Sequence, residues 1–437
     1  MDTNAKTWYL RLLVCLMAVF VLWVYQVSHT RTKLTIGVFV GSAWDVPSGD
    51  GYAVTDTVIK SFQEEHPEVD VTYVSGIKRE DYREWLAEQL LKGTEPDVFM
   101  VPAEDFDTYA RMGAIRNLTD ISQRDRGFDE DGFYKVALDC GRIRGGGLYA
   151  LPVECAPTMM FVNKTLLDRE GIGMPSSDWT WQDFYNICAR VTKDTDGDGV
   201  LDQFGVYDYT WRLAALTNGV QLFSKGGRSS YFADPRMEQG VNFLLSLRKL
   251  RQGQEVTSRD VDLGRVAFRP FTFAEYKTYK PYPWRIKKFS DSEWDCVRLP
   301  AGPQGRNVSP VSTLLLAMSN RTSEPGLAWQ LMKKLCMDPG VQMSILEKSQ
   351  GLPVRREVVL QAAAKDQAGG NGAGVYSMDL AAVSSIMEEA VPTPTLPDQE
   401  TAMMMAERSI QEILSGEVSV ANALHKLQKD VNAYLQR

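Results

Sequence analysis

The chain has 437 residues, 44% hydrophobic and 24% charged, which is the composition of a folded globular protein with room for two lobes of about 150 to 200 residues each. Its formal charge is −8; residues 1–33 carry Lys6, Arg11, Arg31 and Lys33 against Asp2, or +3, which leaves −11 on residues 34–437. That balance argues against a nucleic-acid partner, because phosphate binding needs a basic face.

The first element is an apolar run from Leu12 to Val27, interrupted only by Gln26 and flanked by basic residues. With Trp8, Tyr9 and Leu10 ahead of a snorkelling Arg11, it reaches the roughly 20 residues a bilayer requires, and Trp8, Tyr9, Trp23 and Tyr25 fall where aromatic belts lie. An uncleaved membrane anchor is the expectation for residues 1–33. A cleaved signal peptide and a lipid-modified Cys15 stay open. The first lacks an A-x-A-like triplet before Lys33, and the second has the large Val14 before the cysteine and an apolar run that continues past it.

Cys140, Cys155, Cys188, Cys296 and Cys336 lie beyond that segment, an odd number that cannot all pair within one chain. No C-x-x-C spacing occurs and the histidines are His29, His66 and His425, so a zinc site or a Cys–His catalytic pair has almost no material. A Cys140–Cys155 bridge is conceivable, but buried free thiols are expected.

From residue 33 strand and helix signals alternate. "KLTIGVFVG" reads as a strand, Tyr52 to Glu65 has helical spacing, and "PEVDVTYVSG" is a strand after a proline. "DYREWLAEQLLKG" is a second helix and "EPDVFMVP" a third strand. Such order predicts an α/β fold with a largely parallel sheet, helices on both faces and ligand sites beyond the carboxyl ends of the strands. Those ends are "GSAWD" (Gly41 to Asp45) and "PAEDF" (Pro102 to Phe106).

Further on, Thr180 with Asp183 three residues later starts a helix that should run to about Lys193. It leads into "DTDGDGVLDQFG", where Asp194, Asp196, Asp198 and Asp202 take the first, third, fifth and ninth places of a calcium loop, Gly199 the sixth, and Val200 could lend its carbonyl. The twelfth place, a bidentate glutamate in an EF-hand, is Gly205, and no second helix follows. The loop is therefore either a local Ca²⁺ staple or a solvated acidic turn, and not an EF-hand signalling element.

The run "GLYALPVECAPTMMFVNKTLLDREGI", then "TWQDFYNICARVTKDTDGDGVLDQFG", closely resembles the extracellular solute-binding proteins of carbohydrate ABC transporters, the maltose-binding-protein-like class. "DLGRVAFRPF", "WDCVRLPAGPQG", "LAMSNRTSEPGLAWQLMKKLCMDPGVQ", "GLPVRREVV" and "ILSGEVSVANALHKLQKDVNAYL" follow in the family's order, so the similarity spans roughly residues 34–437. The resemblance implies a two-lobed periplasmic-binding-protein-like fold, each lobe a central sheet flanked by helices. Chain crossings would fall near Tyr149 to Pro152, Val297 to Pro300 and Gly351. Lobe one would be 34–150 with 300–348, and lobe two 151–299 with 349–437. Loops like the acidic one recur in such relatives, where they look like local staples.

The resemblance further implies that a saccharide is captured between the lobes and delivered to ABC permease subunits by a monomer on the extracytoplasmic face of the membrane, with no cofactor needed for function. Sugars offer apolar ring faces and a rim of hydroxyls, so aromatic platforms beside carboxylates and arginines are the candidate site. Lobe one offers Trp44, Asp45, Glu104 and Asp105. Lobe two offers Tyr207, Tyr209, Trp211, Phe273 and Trp284, with Arg355 on the third crossing. Trp44, Trp211 and Glu104 lead; Trp179, Trp181 and Trp329 sit in helical patterns and read as packing residues. The segment "FRPFTFAEYKTYKPYPW" departs from the usual Gly-Trp pattern, so Phe273 and Trp284 compete for one role, and the usual lipoprotein cysteine is missing. A membrane-tethered sensor that passes solute occupancy to a signalling partner is the alternative. Glycoside hydrolysis is disfavoured, since Glu104 and Asp105 are neighbours that point apart, whereas that chemistry needs two acids facing each other at about 5 to 9.5 Å.

Overall fold

The computed structural model describes residues 16–17, 31–44, 46, 51–143, 146–224, 226–279, 292–368, 378–393 and 399–436. The apolar N-terminal segment lies outside them, except for Leu16 and Met17, which are helical, and Asp45 and Trp284 lie outside them as well. No helix among the described residues is long and apolar enough to cross a membrane.

β1 (Thr32–Gly37) pairs in parallel with β2 (Val69–Thr72) and β3 (Val98–Val101), and the crossovers are α1 (Ala53–Glu65) and α2 (Arg79–Lys92). The alternation works because Leu34, Ile36, Val69, Val71 and Val98 bury their side chains against the inner faces of the helices. α2 stops at Gly93, whose φ of 70° is the left-handed cap that glycine adopts without strain. β8 (Pro310–Met318) then joins β3 antiparallel, so the sheet is mixed where sequence order suggests a largely parallel one. The reason is that β8 returns from the other lobe and not through a helical crossover, and only such a crossover would oblige it to run with its neighbours.

β4 (Ala150–Asn163) links the lobes. Its first half pairs with β8, from Ala150 opposite Ala317 to Pro157 opposite Val311, and its second half pairs with β6 (Val266–Thr272) and β7 (Trp294–Val297). β5 (Phe204–Val206) extends the second half, parallel to β6. Two cores flank this strand. The first gathers Leu34, Phe133, Tyr134, Leu316 and Trp329, and the second Trp179, Phe184, Trp211, Phe268 and Ile410.

Short helices α3 (Phe106–Arg111), α4 (Thr119–Arg124) and α5 (Lys135–Asp139) follow β3. Around the second core stand α6 (Lys164–Arg169), α7 (Trp181–Val191), α8 (Trp211–Thr217), α9 (Pro235–Leu250) and α10 (Ser258–Asp262). α7 starts as its sequence demands: Thr180 accepts from the Asp183 N–H, and the Asp183 carboxylate accepts from the Thr180 N–H at 2.8 Å, closing a capping box. α11 (Phe273–Tyr279) follows β6, and α12 (Pro325–Met337) and α13 (Pro339–Lys348) cover the first sheet.

The remaining elements are β9 (Leu352–Pro353), α14 (Arg356–Ala368), α15 (Leu380–Glu388), β10 (Val391–Pro392), α16 (Gln399–Leu414) and α17 (Val420–Leu435). The expected block 349–437 of lobe two divides here. Leu352, Val354, Val359, Val383 and Ile386 are buried in the first core, where Tyr134 Oη donates to Ser384 Oγ at 2.8 Å, whereas Ala402, Ile410, Leu424 and Leu427 are buried in the second. We therefore propose assigning β9 through α15 to the first lobe and only α16 and α17 to the second. Cys155, Cys188, Cys296 and Cys336 are buried free thiols and Cys140 is a half-buried one; burial pushes the thiol pKa of each upward.

Candidate functional site

The hinge end of β4 carries a buried acid. Register with β8 shifts between Pro152 and Glu154, leaving Val153 as the extra residue of a bulge, a device that re-aims the side chain after it. Glu154, 5% exposed, accepts from the Trp44 indole Nε1 at 3.0 Å through one oxygen and from the Ser349 hydroxyl through the other. Gly351 has to be glycine beside it, since a Cβ there would meet the Glu154 carboxyl at 2.6 Å. Lys277 of α11 donates to the carbonyl of Ser349 at 2.6 Å and also to that of Leu346, holding the end of α13. Burial pushes the Glu154 carboxyl above its ordinary value, opposed by the hydrogen bonds from Ser349 and Trp44 and by the charge of Lys277.

Beyond Trp44 opens a cleft of 1620 Å³ lined from both lobes. Trp44 and Glu104 of the first lobe line it, as sequence order suggests, and Glu104 is exposed there. From the second lobe come Arg228, on the Gly226–Gly227 loop, and Tyr434 at the end of α17. Ser312 and Thr313 of β8 form part of the floor, with the Ser312 hydroxyl donating to Thr393 Oγ1 at 3.3 Å.

The other candidates lie elsewhere. Asp105 is 9% exposed and gripped by Arg83 through bonds of 2.6 and 2.7 Å, so its carboxylate stabilises the turn before α3. Trp211 is 4% exposed in the second core and donates to Glu407 of α16 at 3.0 Å; its indole joins α8 to α16 and is not part of the cleft lining. Tyr209 is packed against Phe184, and its hydroxyl lies 3.2 Å from both Trp181 Nε1 and Thr217 Oγ1. Phe273 is buried in the first core. Arg355 is buried over the Phe133 ring and ion-paired to Asp129 at 2.6 Å, fastening the third crossing to the first lobe. Tyr207 is half-buried at the carboxyl end of β5, outside the cleft lining, with the Arg269 guanidinium 5.1 Å from its ring.

Arg228 and Tyr434 were missed by reading strand ends. "SKGGRSS" carries a signal, a turn-forming Gly-Gly pair that presents an arginine. Tyr434 carries none, because it sits on an amphipathic helix whose periodicity announces packing alone.

In the acidic loop, carboxylates of Asp194, Asp196 and Asp198 lie within 4.8 Å of one another, an oxygen set suited to Ca²⁺. Gly197 and Gly199, at φ of 82° and 89°, allow the backbone to wrap inward, and their N–H groups donate to Asp194 at 2.7 Å, which lowers the Asp194 pKa. Asp202 does not join this group. It accepts from the N–H and hydroxyl of Thr195 at 2.9 and 2.6 Å, closing the loop instead. The Val200 N–H donates to Asp198 at 2.8 Å.

A sequence profile of the bacterial extracellular solute-binding protein family matches residues 46–335. Solved structures with the same fold include the sugar-binding protein MalE of Xanthomonas citri, 17% identical with a TM-score of 0.74, covering 92% of this chain and 97% of that one. The cyclic alpha-maltosyl-1,6-maltose binding protein of Arthrobacter globiformis is 16% identical with a TM-score of 0.74, covering 93% of this chain and 99% of that one. An ABC substrate-binding protein of Listeria monocytogenes, in complex with cycloalternan, is 18% identical with a TM-score of 0.66, covering 92% and 98%.

The buried hinge acid generates a pH prediction. Because folding favours its protonated form, Glu154 adds stability below the ordinary glutamate value of about 4.3 and withdraws it as pH rises through its elevated native value. Glu154→Gln, whose amide can serve both Trp44 and Ser349, is expected to gain melting temperature over the parent between pH 5 and 8. Glu154→Ala, which orphans both partners, should lose about 1 to 3 kcal/mol. Thermal unfolding across this range checks both; parallel curves for parent and Glu154→Gln would show that the acid ionises normally.

Proposed function

The chain belongs to the bacterial extracellular solute-binding protein family, and we propose that it captures a saccharide between its lobes and delivers it to the permease subunits of an ABC transporter. It is a binding protein and not an enzyme. The observation that carries the reading is the cleft itself, in which Trp44 and Glu104 of one lobe share a wall-to-wall space with Tyr434 and Arg228 of the other. An indole and a phenol suit the apolar faces of sugar rings, and a carboxylate and a guanidinium suit their hydroxyls. A ligand closes two lobes only if it binds the closed state better, so contacts must come from both sides. The cyclic oligosaccharides bound by the Arthrobacter and Listeria proteins support this class of solute. The N-terminal run from Leu12 to Val27 supports an anchor that keeps the binding lobes at the extracytoplasmic face. Three converging carboxylates support Ca²⁺ as a structural staple in the Asp194 loop.

Trp44→Ala should weaken saccharide binding by about 2 kcal/mol, roughly thirtyfold. Trp211→Ala should instead cost about 3 to 5 kcal/mol of stability and leave affinity nearly unchanged. Titration calorimetry with a sugar found by screening, run beside thermal unfolding, separates the two; reversed effects would move the site to the second core. Ca²⁺ at a hundredfold excess over its Kd should stabilise by about 2.7 kcal/mol, and chelator should abolish this without altering sugar affinity. An unchanged melting temperature would make the loop a plain acidic turn. Intact mass from membrane fractions should show the full N-terminus; a chain beginning near Arg31, or a lipid on Cys15, would refute the anchor.

A further inference from the structure

Among the described first-lobe aromatics that line the cleft, Phe39, Tyr82 and Phe106 are buried, and Trp44 alone keeps a half-exposed ring. Trp44 stands on a turn beyond β1, not on a strand or helix, and its N–H donates to Ser42 Oγ at 3.1 Å. Packing alone does not pin this turn. Beside it lies a second space of 70 Å³, lined by Gly41 and Ala43 of the same loop, Thr55 of α1, Glu154, and Lys348 and Ser349 at the end of α13. That is room into which the loop can shift. What fixes the ring from the far side is the bond of 3.0 Å from its Nε1 to Glu154.

Glu154 is itself rigidly held. It is carried on β4 at the bulge, its second oxygen accepts from Ser349, Gly351 abuts its carboxyl, and Lys277 fastens the Ser349 carbonyl at 2.6 Å. It is 5% exposed and absent from the cleft lining, so its reach toward the solute runs through Trp44. A carboxylate costs more to bury than an amide that would make the same two bonds. What the acid adds in return is a charge-assisted, hence stronger, grip on the indole N–H. A stacking ring that is oriented beforehand loses less freedom when the solute arrives, and that saving appears as affinity.

We infer that Glu154 is a positioning residue for solute binding: by holding the indole N–H from behind, it fixes the Trp44 ring on the cleft wall before the solute arrives. The inference rests on the saccharide reading above, in which Trp44 is the platform, and adds the residue that presents it.

The test is a double-mutant cycle read by titration calorimetry of the full chain with maltose, maltotriose, cycloalternan and cyclic alpha-maltosyl-1,6-maltose, using whichever binds the parent. Glu154→Ala should weaken binding about tenfold, and Glu154→Gln, whose neutral amide oxygen still accepts from the indole, should recover most of that loss. In a Trp44→Ala background, Glu154→Ala should change affinity by less than about twofold, because no indole is left to position. Should Glu154→Ala fail to fold, the cycle is run with Glu154→Gln and Trp44→Phe, which keeps a ring and lacks the N–H; the amide should cost about threefold beside Trp44 and nothing beside Phe. Without any sugar, the indole N–H resonance that disappears in Trp44→Phe should move in Glu154→Gln. An equal loss of affinity with and without the Trp44 indole, or no loss in a folded Glu154→Ala, overturns the inference and leaves saccharide binding intact, as does an unmoved resonance. A parent that binds none of these sugars overturns both.

Discussion

One strand, β4, has to satisfy its backbone hydrogen bonds in two sheets at once. Its 14 residues are buried along nearly their whole length, with β8 beside the first half and β6 and β7 beside the second. Such a strand cannot bend freely without orphaning buried N–H and C=O groups. Relative movement of the lobes is therefore confined to places where the ladder is already interrupted, and the bulge at Val153 is one of them. Glu154 sits at that interruption and binds the Trp44 loop and the third crossing at Ser349. Three chain segments distant in sequence thus meet at one carboxylate, and the aromatic wall of the cleft is tied to the hinge by a hydrogen bond.

This arrangement governs how the molecule uses its large aromatic residues. Trp179 donates to the Arg298 carbonyl at 2.7 Å, Trp181 to Tyr209 at 3.2 Å, Trp211 to Glu407 at 3.0 Å and Trp329 to Asp125 at 2.7 Å. Each is a large apolar body whose single donor is satisfied inside the fold, the condition for burying an indole without penalty. Trp44 satisfies its donor at the hinge as well, but its loop leaves it half-buried on the cleft wall.

Charge divides the lobes in a comparable way. The chain is acidic overall, and Arg83, Arg111 and Arg142 on the first-lobe wall are paired with Asp105, Asp107 and Glu130. Those pairs shape and stiffen the wall and leave little net field from it. On the second lobe, Arg228 is exposed in the cleft lining and makes no ion pair among the described residues, so it brings a positive charge to that wall. Glu104, exposed on the opposite wall, keeps that field from becoming uniform.

The sequence by itself determined the local elements: the alternation from β1 to β3, the Thr180–Asp183 capping box and the inward-turning glycines of the acidic loop all rest on residues close together in the chain. It also determined that Trp44 and Glu104 stand at strand ends, because ligand sites in α/β folds open there. Only the tertiary structure decided that β8 runs antiparallel, that the buried residues of 352–363 and 378–387 pack with the first core, and that Trp211, Tyr209, Phe273 and Arg355 face inward. An aromatic near a strand end has the same local signature whether it meets solvent or a helix, and the helix that covers Trp211 begins 188 residues later, at Gln399. Tyr434 and Arg228 became visible for the same reason: whether a side chain reaches the cleft depends on what long-range packing places beside it, and no spacing along the chain encodes that.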